Sequence, residues 1–141
     1  MAERMRVVLD VDVVLDVLQR RQPFFEDSAP LLAAIEKGRL EGLLAAHSVT
    51  TLFHLYSKYD SPAAARVHLV DLLGFIGVAP VDHAVIEEAL ALPYPDFEDC
   101  VQMTAARRIN ADYLVTRDRA CYAAGPVPAL APAELLALLE P

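Results

Sequence analysis

The sequence predicts an α/β fold, a three-layer α/β/α sandwich around a central parallel sheet of about four to five strands. Three observations carry that expectation. Short apolar runs alternate with helix-patterned segments from one end of the chain to the other, which implies right-handed crossovers between parallel strands. The run Val7-Val8-Leu9 is apolar at every position, as a strand covered on both faces requires. And 141 residues, 55% of them hydrophobic, suffice for one well-supplied core.

The elements follow in order. Arg6 to Asp10 reads as a buried strand ending in an acid. Asp12 to Arg21 places Val13, Val14, Val17 and Leu18 at helical spacing, and Pro23 stops that helix. Asp27 or Ser28 caps the next helix, with Leu31, Leu32 and Ile35 facing inward and Gly38 closing it. Leu40 to Ala46 is a second strand. Ser48 reads as the N-cap of a helix running to Tyr59, and Pro62 sits in the first turn of another running to Leu73. Phe75 to Pro80 is a short strand, Asp82 caps a helix through Leu92, and Pro93-Tyr94-Pro95 is a rigid turn. Asp96 opens a helix to Ile109. Asp112 to Thr116 is a strand, Arg117 to Tyr122 an irregular or short helical turn, Val127 to Leu130 a last strand and Pro132 to Leu139 a last helix. No repeat, low-complexity tract or long linker interrupts the series, so residues 1–141 are expected to form a single domain.

Bulk properties narrow the function classes. No apolar run reaches the roughly 20 residues of a membrane-spanning helix. The N-terminus leads straight into a strand-like run, which does not resemble a signal peptide. Cys100 and Cys121 lack metal-ligand spacing and fit two free thiols, so a cytoplasmic location is expected. A net charge of -8 argues against a protein that holds nucleic acid by a basic surface. It leaves room for an enzyme acting on nucleic acid, because a cation bound among carboxylates reverses the local field.

Polar chemistry in an open parallel sheet collects beyond the carboxyl ends of the strands. Asp10 closes the first strand, Asp118 follows the strand ending at Thr116, and Asp96 and Asp99 occupy the first turn of the helix leading into that strand. Carboxylates brought together repel and take up protons unless a cation joins them. Oxygen-only ligands suit Mg2+ or Mn2+, and such a site activates water for in-line attack on a phosphate. One metal or two, about 3.5–4 Å apart when paired, are both compatible with the sequence. Each acid also has a structural reading. Asp96 is a natural N-cap, Asp99 at the third helical position favours the helix dipole, and Asp118 can begin a short helix. Asp10, closing an apolar strand, has the least structural excuse.

These residues carry a family likeness. Val7-Val8-Leu9-Asp10-Val11-Asp12-Val13-Val14-Leu15-Asp16 resembles the opening motif of PIN domains. Asp96-Phe97-Glu98-Asp99-Cys100-Val101-Gln102 resembles their central acidic helix start. Asn110-Ala111-Asp112-Tyr113-Leu114-Val115-Thr116-Arg117-Asp118 resembles their last signature, an apolar strand followed by Thr, any residue, and Asp or Asn. The resemblance implies a Mg2+- or Mn2+-dependent nuclease fold hydrolysing RNA, and, for a small stand-alone protein, the ribonuclease toxin of a VapBC-type pair with an antitoxin partner. It carries Asp10, Asp99 and Asp118 over as metal-binding acids and Thr116 as the supporting hydroxyl, with Asp96 as an added ligand. The family's Glu in the helix after the second strand falls on Phe53, and its later Asp falls near Cys121-Tyr122.

Arg117 is the better candidate for contacting RNA, while Arg107 and Arg108 read as charges favourable near a helix C-terminus. His47 and Ser48 follow the second strand, where they either face the acidic edge or serve as a strand-end histidine and a helix cap. His54, His68 and His83 read as packing or surface residues. The helices over 48–73 carry Leu52, Phe53, Leu55, Tyr56, Val67, Leu69, Val70, Leu72 and Leu73. Covering the sheet accounts for some of them, a surplus suits a dimer face or a groove for a partner's helix, and the resemblance implies a homodimer. The alternative is a degenerate PIN scaffold acting as a protein-binding or oligomerisation module. A receiver-type domain wants a lysine late in the sheet, whereas the lysines here are Lys37 and Lys58.

Overall fold

Alternate residues of each strand feed opposite layers. In the computed structural model, which describes residues 4–140, strand β1 (Arg6–Leu9) sends Val7 and Leu9 into one core and Val8 into another. Strands β2 (Glu41–Ala45) and β4 (Tyr113–Val115) divide in the same way. Leu44 and Val115 lie on the first side, and Leu43, Ala45 and Leu114 on the second. A strand buried on both faces must be apolar throughout, which is why these segments do not alternate in polarity.

The first core packs under helices α1 (Val11–Leu18), α2 (Phe25–Glu36), α3 (Ala46–Tyr59), α4 (Pro62–Leu73) and α7 (Pro132–Leu139). The second side is covered by α5 (His83–Leu90) and α6 (Phe97–Arg108), joined by Tyr122 and Val127. With β3 (Gly77–Ala79) and β5 (Ala129–Leu130), the sheet has five parallel strands in the order β3-β2-β1-β4-β5. This is the expected α/β/α sandwich.

The strand order fixes where chemistry can occur. From β1 the chain first builds outward through β2 to β3, then returns to place β4 on the other side of β1. The crevice beyond the carboxyl ends of β1 and β4 is therefore the topological switch point, where neighbouring connections diverge and leave an opening.

The expected caps Asp82 and Asp96 accept hydrogen bonds from the backbone amides of Val85 and Asp99, and Ser61, directly before Pro62, caps α4 through the amide of Ala64. Gly38, with φ +78°, takes the left-handed turn after α2 that a side chain disfavours. Two caps are corrected. α3 starts at Ala46, directly from β2, so Ser48 lies inside its first turn, buried, with its hydroxyl turned to Gln102. α2 starts at Phe25, which places Asp27 in the first turn and Ser28 in the core. In each case an uncapped helix start is compensated by packing of the apolar face.

Candidate functional site

Asp10 leaves β1 at the switch point. Its backbone N–H donates to the Val115 carbonyl at 2.9 Å, which ties the two strand ends together. Its side chain does not cap α1. Instead, Oδ2 accepts the Thr116 hydroxyl at 2.9 Å. Thr116 is fully buried, and its Oγ1 also accepts the Asp118 backbone N–H at 3.1 Å. One hydroxyl thus orients the acid after β1 and the turn after β4.

Asp99 approaches from α6. Its amide is held by the Asp96 cap at 3.1 Å, and its Oδ1 accepts the Tyr122 phenol at 2.8 Å. Tyr122 belongs to a single 3-10 turn, Arg119–Tyr122, that begins beside Asp118. Asp10 and Asp99 both line a cleft of about 170 Å³ between α1, α3 and α6, together with Asp12, His47, Ser48 and Gln102. Asp118 does not line this cleft; its Oδ2 accepts the Cys121 thiol at 3.0 Å. Asp96 is exposed and uses one carboxylate oxygen as the helix cap.

Of the acids lining the cleft, Asp12 is approached by Arg21 and Arg117 at 3.7 Å, while Asp10 and Asp99 have no paired cation among the described residues. Burial pushes the Asp10 carboxyl above its ordinary value. The Thr116 hydrogen bond opposes this, and the charges of Asp12 and Asp99 reinforce it. Asp99 is raised chiefly by burial, against the Tyr122 hydrogen bond, and further by Asp96, Glu98 and Asp118. Burial, with the charges of Asp10 and Asp99, holds the Tyr122 phenol far above its usual range and therefore protonated. The Cys121 thiol is pushed up to about 11 by its hydrogen bond to Asp118. Among the described residues no arginine or lysine pairs with Asp10, Asp96, Asp99 or Asp118. Nor do three or more acids, histidines or cysteines gather closely enough to form a ready-made metal cluster.

Arg117 bridges the acids of α1, with a guanidinium nitrogen 3.7 Å from the cleft-lining Asp12. Its Nε lies 3.0 Å from the fully buried Asp16, and its guanidinium stacks 4.0 Å above the Phe24 ring. Arg107 and Arg108 pair with Glu88 on α5. His47 places its Nε2 3.2 Å from the Glu98 carbonyl at the mouth of the cleft.

The α3 register differs from the expected one. Phe53 packs towards α4, under the Arg66 guanidinium, and lines an apolar groove with Val49, Leu69 and Leu73. The α3 side chains that line the acidic cleft are Ser48, Thr51 and Leu55. Since Ala46–Tyr59 holds no Asp or Glu, the helix offers the cleft no carboxylate in any register.

Sequence reasoning missed Gln102, Tyr122 and Asp16. Gln102 lies three residues after Asp99, hence on the same helix face, and that spacing was the available signal. Tyr122 and Asp16 depend on contacts between distant elements and left no local mark.

Comparison with known proteins bears on this arrangement. The sequence pattern described as PIN domain matches residues 6–120. Similar solved structures include VapC20 of Mycobacterium tuberculosis, described as a sarcin–ricin loop cleaving toxin. It is 14% identical with a TM-score of 0.68, covering 84% of this chain and 94% of that one. A toxin–antitoxin complex from Klebsiella pneumoniae is 16% identical, with a TM-score of 0.67 over 89% of this chain and 97% of that one. VapBC2 of Rickettsia felis, bound to promoter DNA, is 13% identical, with a TM-score of 0.65 over 90% and 98% of the two chains. Likeness at these identities shows the fold and leaves the activity to the site. No curated protein matches the sequence.

Proposed function

The chain belongs to the PIN domain family, and from that premise we propose that it is a Mg2+- or Mn2+-dependent endoribonuclease of the toxin type. The observation that carries the reading is the pair Asp10 and Asp99, which line one cleft at the switch point, are raised by burial and by neighbouring carboxylates, and are oriented by hydroxyls. Negative charge concentrated where nothing structural needs it marks a site adapted to a cation.

The donor set fits such an ion. It is all oxygen, which matches a hard divalent cation, and it has no competing thiolate, since the raised Cys121 remains a thiol. Asp10 and Asp99 would hold the ion, with Asp118 and Asp96 as flanking acids and water completing the shell, as Mg2+ tolerates. When bound, the ion supplies an activated water and stabilises charge on the phosphate in an in-line displacement. Thr116 keeps the Asp10 carboxylate and the Asp118 turn in one orientation. Arg117 holds the same turn against α1 through Asp16, so any contact it makes with RNA would compete with that pairing.

The partners follow from the same reading. Val67, Val70 and Leu73 on α4 are exposed, and the adjoining groove is apolar, which supports a homodimer or an antitoxin segment on the α3–α4 face. The absence of any acid on α3 favours a second reading, a PIN scaffold that acts as a protein-binding or oligomerisation module.

The deciding experiment incubates the purified protein and an Asp10→Ala variant with mixed RNA and Mn2+. Cleavage that falls by more than about 100-fold in the variant is expected, since loss of a supporting partner alone commands 10–100-fold. Equal cleavage by both indicates a contaminating nuclease. No cleavage by either, with no Mn2+ binding by calorimetry, would favour the binding module.

A further inference from the structure

We propose that Ser48, Gln102 and Tyr122 form a one-way hydrogen-bond relay that positions Asp99 for a divalent cation, an inference that rests on the metal-dependent reading above. The Ser48 hydroxyl donates to Gln102 Oε1 at 3.3 Å, Gln102 Nε2 donates to the Tyr122 oxygen at 2.9 Å, and the Tyr122 hydroxyl donates to Asp99 Oδ1 at 2.8 Å. The relay joins α3, α6 and the 3-10 turn around one side of the cleft.

Its direction is set by the chemistry of its ends. Ionised Asp99 can only accept, so the single phenolic proton must point to it. Tyr122 must then accept from Gln102, which fixes the amide with Nε2 towards the phenol and Oε1 towards Ser48. The three side chains are 3%, 3% and 2% exposed, so water cannot take over a broken link, and the arrangement is locked. Every donor in the series points towards the Asp99 charge, and successive bonds polarise one another.

The relay gives α3 a part in the site that does not require a carboxylate. Ser48 replaces direct ligation from that helix with support of the ligand on α6. Tyr122 engages Oδ1, while Oδ2 accepts no hydrogen bond among the described residues, so one oxygen is anchored and the other is free for the ion. Tyr122 is a positioning residue: it acts through Asp99.

The test is calorimetric titration of Mn2+ into the full chain and into Tyr122→Phe, Gln102→Leu and Ser48→Ala, well below their melting temperatures. Tyr122→Phe is expected to weaken Mn2+ binding roughly 10–100-fold, Gln102→Leu less, and Ser48→Ala, at the longest link, least. The double variant Tyr122→Phe/Gln102→Leu should bind no more weakly than Tyr122→Phe alone, because the relay reaches the ion only through the phenol. A merely structural role would lower the melting temperatures and leave Mn2+ affinity unmoved. If Tyr122→Phe does not fold, Gln102→Leu decides. Wild-type affinity in the variants overturns the relay alone, whereas no Mn2+ binding by the unaltered protein overturns the metal-dependent reading and the relay with it.

Discussion

Asp10 precedes one short helix and Asp16 lies within it, and the fold treats their charges in opposite ways. Asp16 is fully buried, yet two arginines reach it, Arg117 at 3.0 Å and Arg21 at 3.8 Å. Asp10 is less enclosed and has no cation, only the hydroxyl of Thr116 and the repulsion of its neighbours. Both carboxyls are raised by burial, but only at Asp16 do arginines oppose the rise. An acid that serves the fold is given its counter-ion by the chain itself. An acid with the proposed role of holding a cation is left with the deficit, which such a cation would relieve.

The sharpest way to break this contrast is to remove the arginine. Arg117→Met leaves Asp16 buried with one distant partner. The variant is expected to lose about 2–3 kcal/mol at pH 7, below the 3–5 of a wholly enclosed pair because the guanidinium keeps some water. Without Arg117, Asp16 holds its proton to higher pH in the folded state than in the unfolded chain. The deficit should therefore be full above that folded value and shrink as the pH falls through it towards 3.8. Urea unfolding at several pH values measures this, and an unchanged midpoint would remove the structural role assigned to Asp16.

The opposite sign is expected at the cleft. Asp10→Asn keeps the acceptor for Thr116 and deletes an unanswered charge, so the metal-free protein should gain about 1 kcal/mol, within the range commonly recovered when a functional site is relaxed. A loss of stability by the same unfolding assay would mean that Asp10 is already compensated.

The smallest effect is the pH slope of the metal-free protein itself. Asp10 and Asp99 are raised above 3.8, so between that value and their folded values the folded state binds more protons than the unfolded state. Stability should then decline as pH rises through that window and level off above it. Glu88, lowered by Arg107, acts in the other sense only below its ordinary 4.5. Thermal melts in chelator from pH 4 to 7 report the slope. Asp10→Asn should flatten it, and added Mn2+ should reverse it by binding the ionised form.

Much of this molecule is legible along the chain. Val7-Val8-Leu9 could only be a doubly covered strand, and Pro62, Asp82 and Asp96 mark helix starts by chemistry that acts within one turn. Ser48 looks like the same kind of cap and is not, because the choice between capping a helix and reaching Gln102 depends on where α6 lies. The position of Phe53 along α3 does not determine its direction, because which α3 face meets the acidic cleft depends on how the helix rolls against α4 and β2.

The sequence by itself determined the α/β class, the sequence of elements and the acids standing at strand and helix ends, because periodicity, caps and strand burial are set by near neighbours. The tertiary structure alone decided the order β3-β2-β1-β4-β5, the meeting of Asp10 with Asp99, the pairing of Arg117 with Asp16 and the support of Asp99 by Tyr122. Each of those joins residues distant in sequence, and only packing of the layers determines which side chains come within hydrogen-bonding distance.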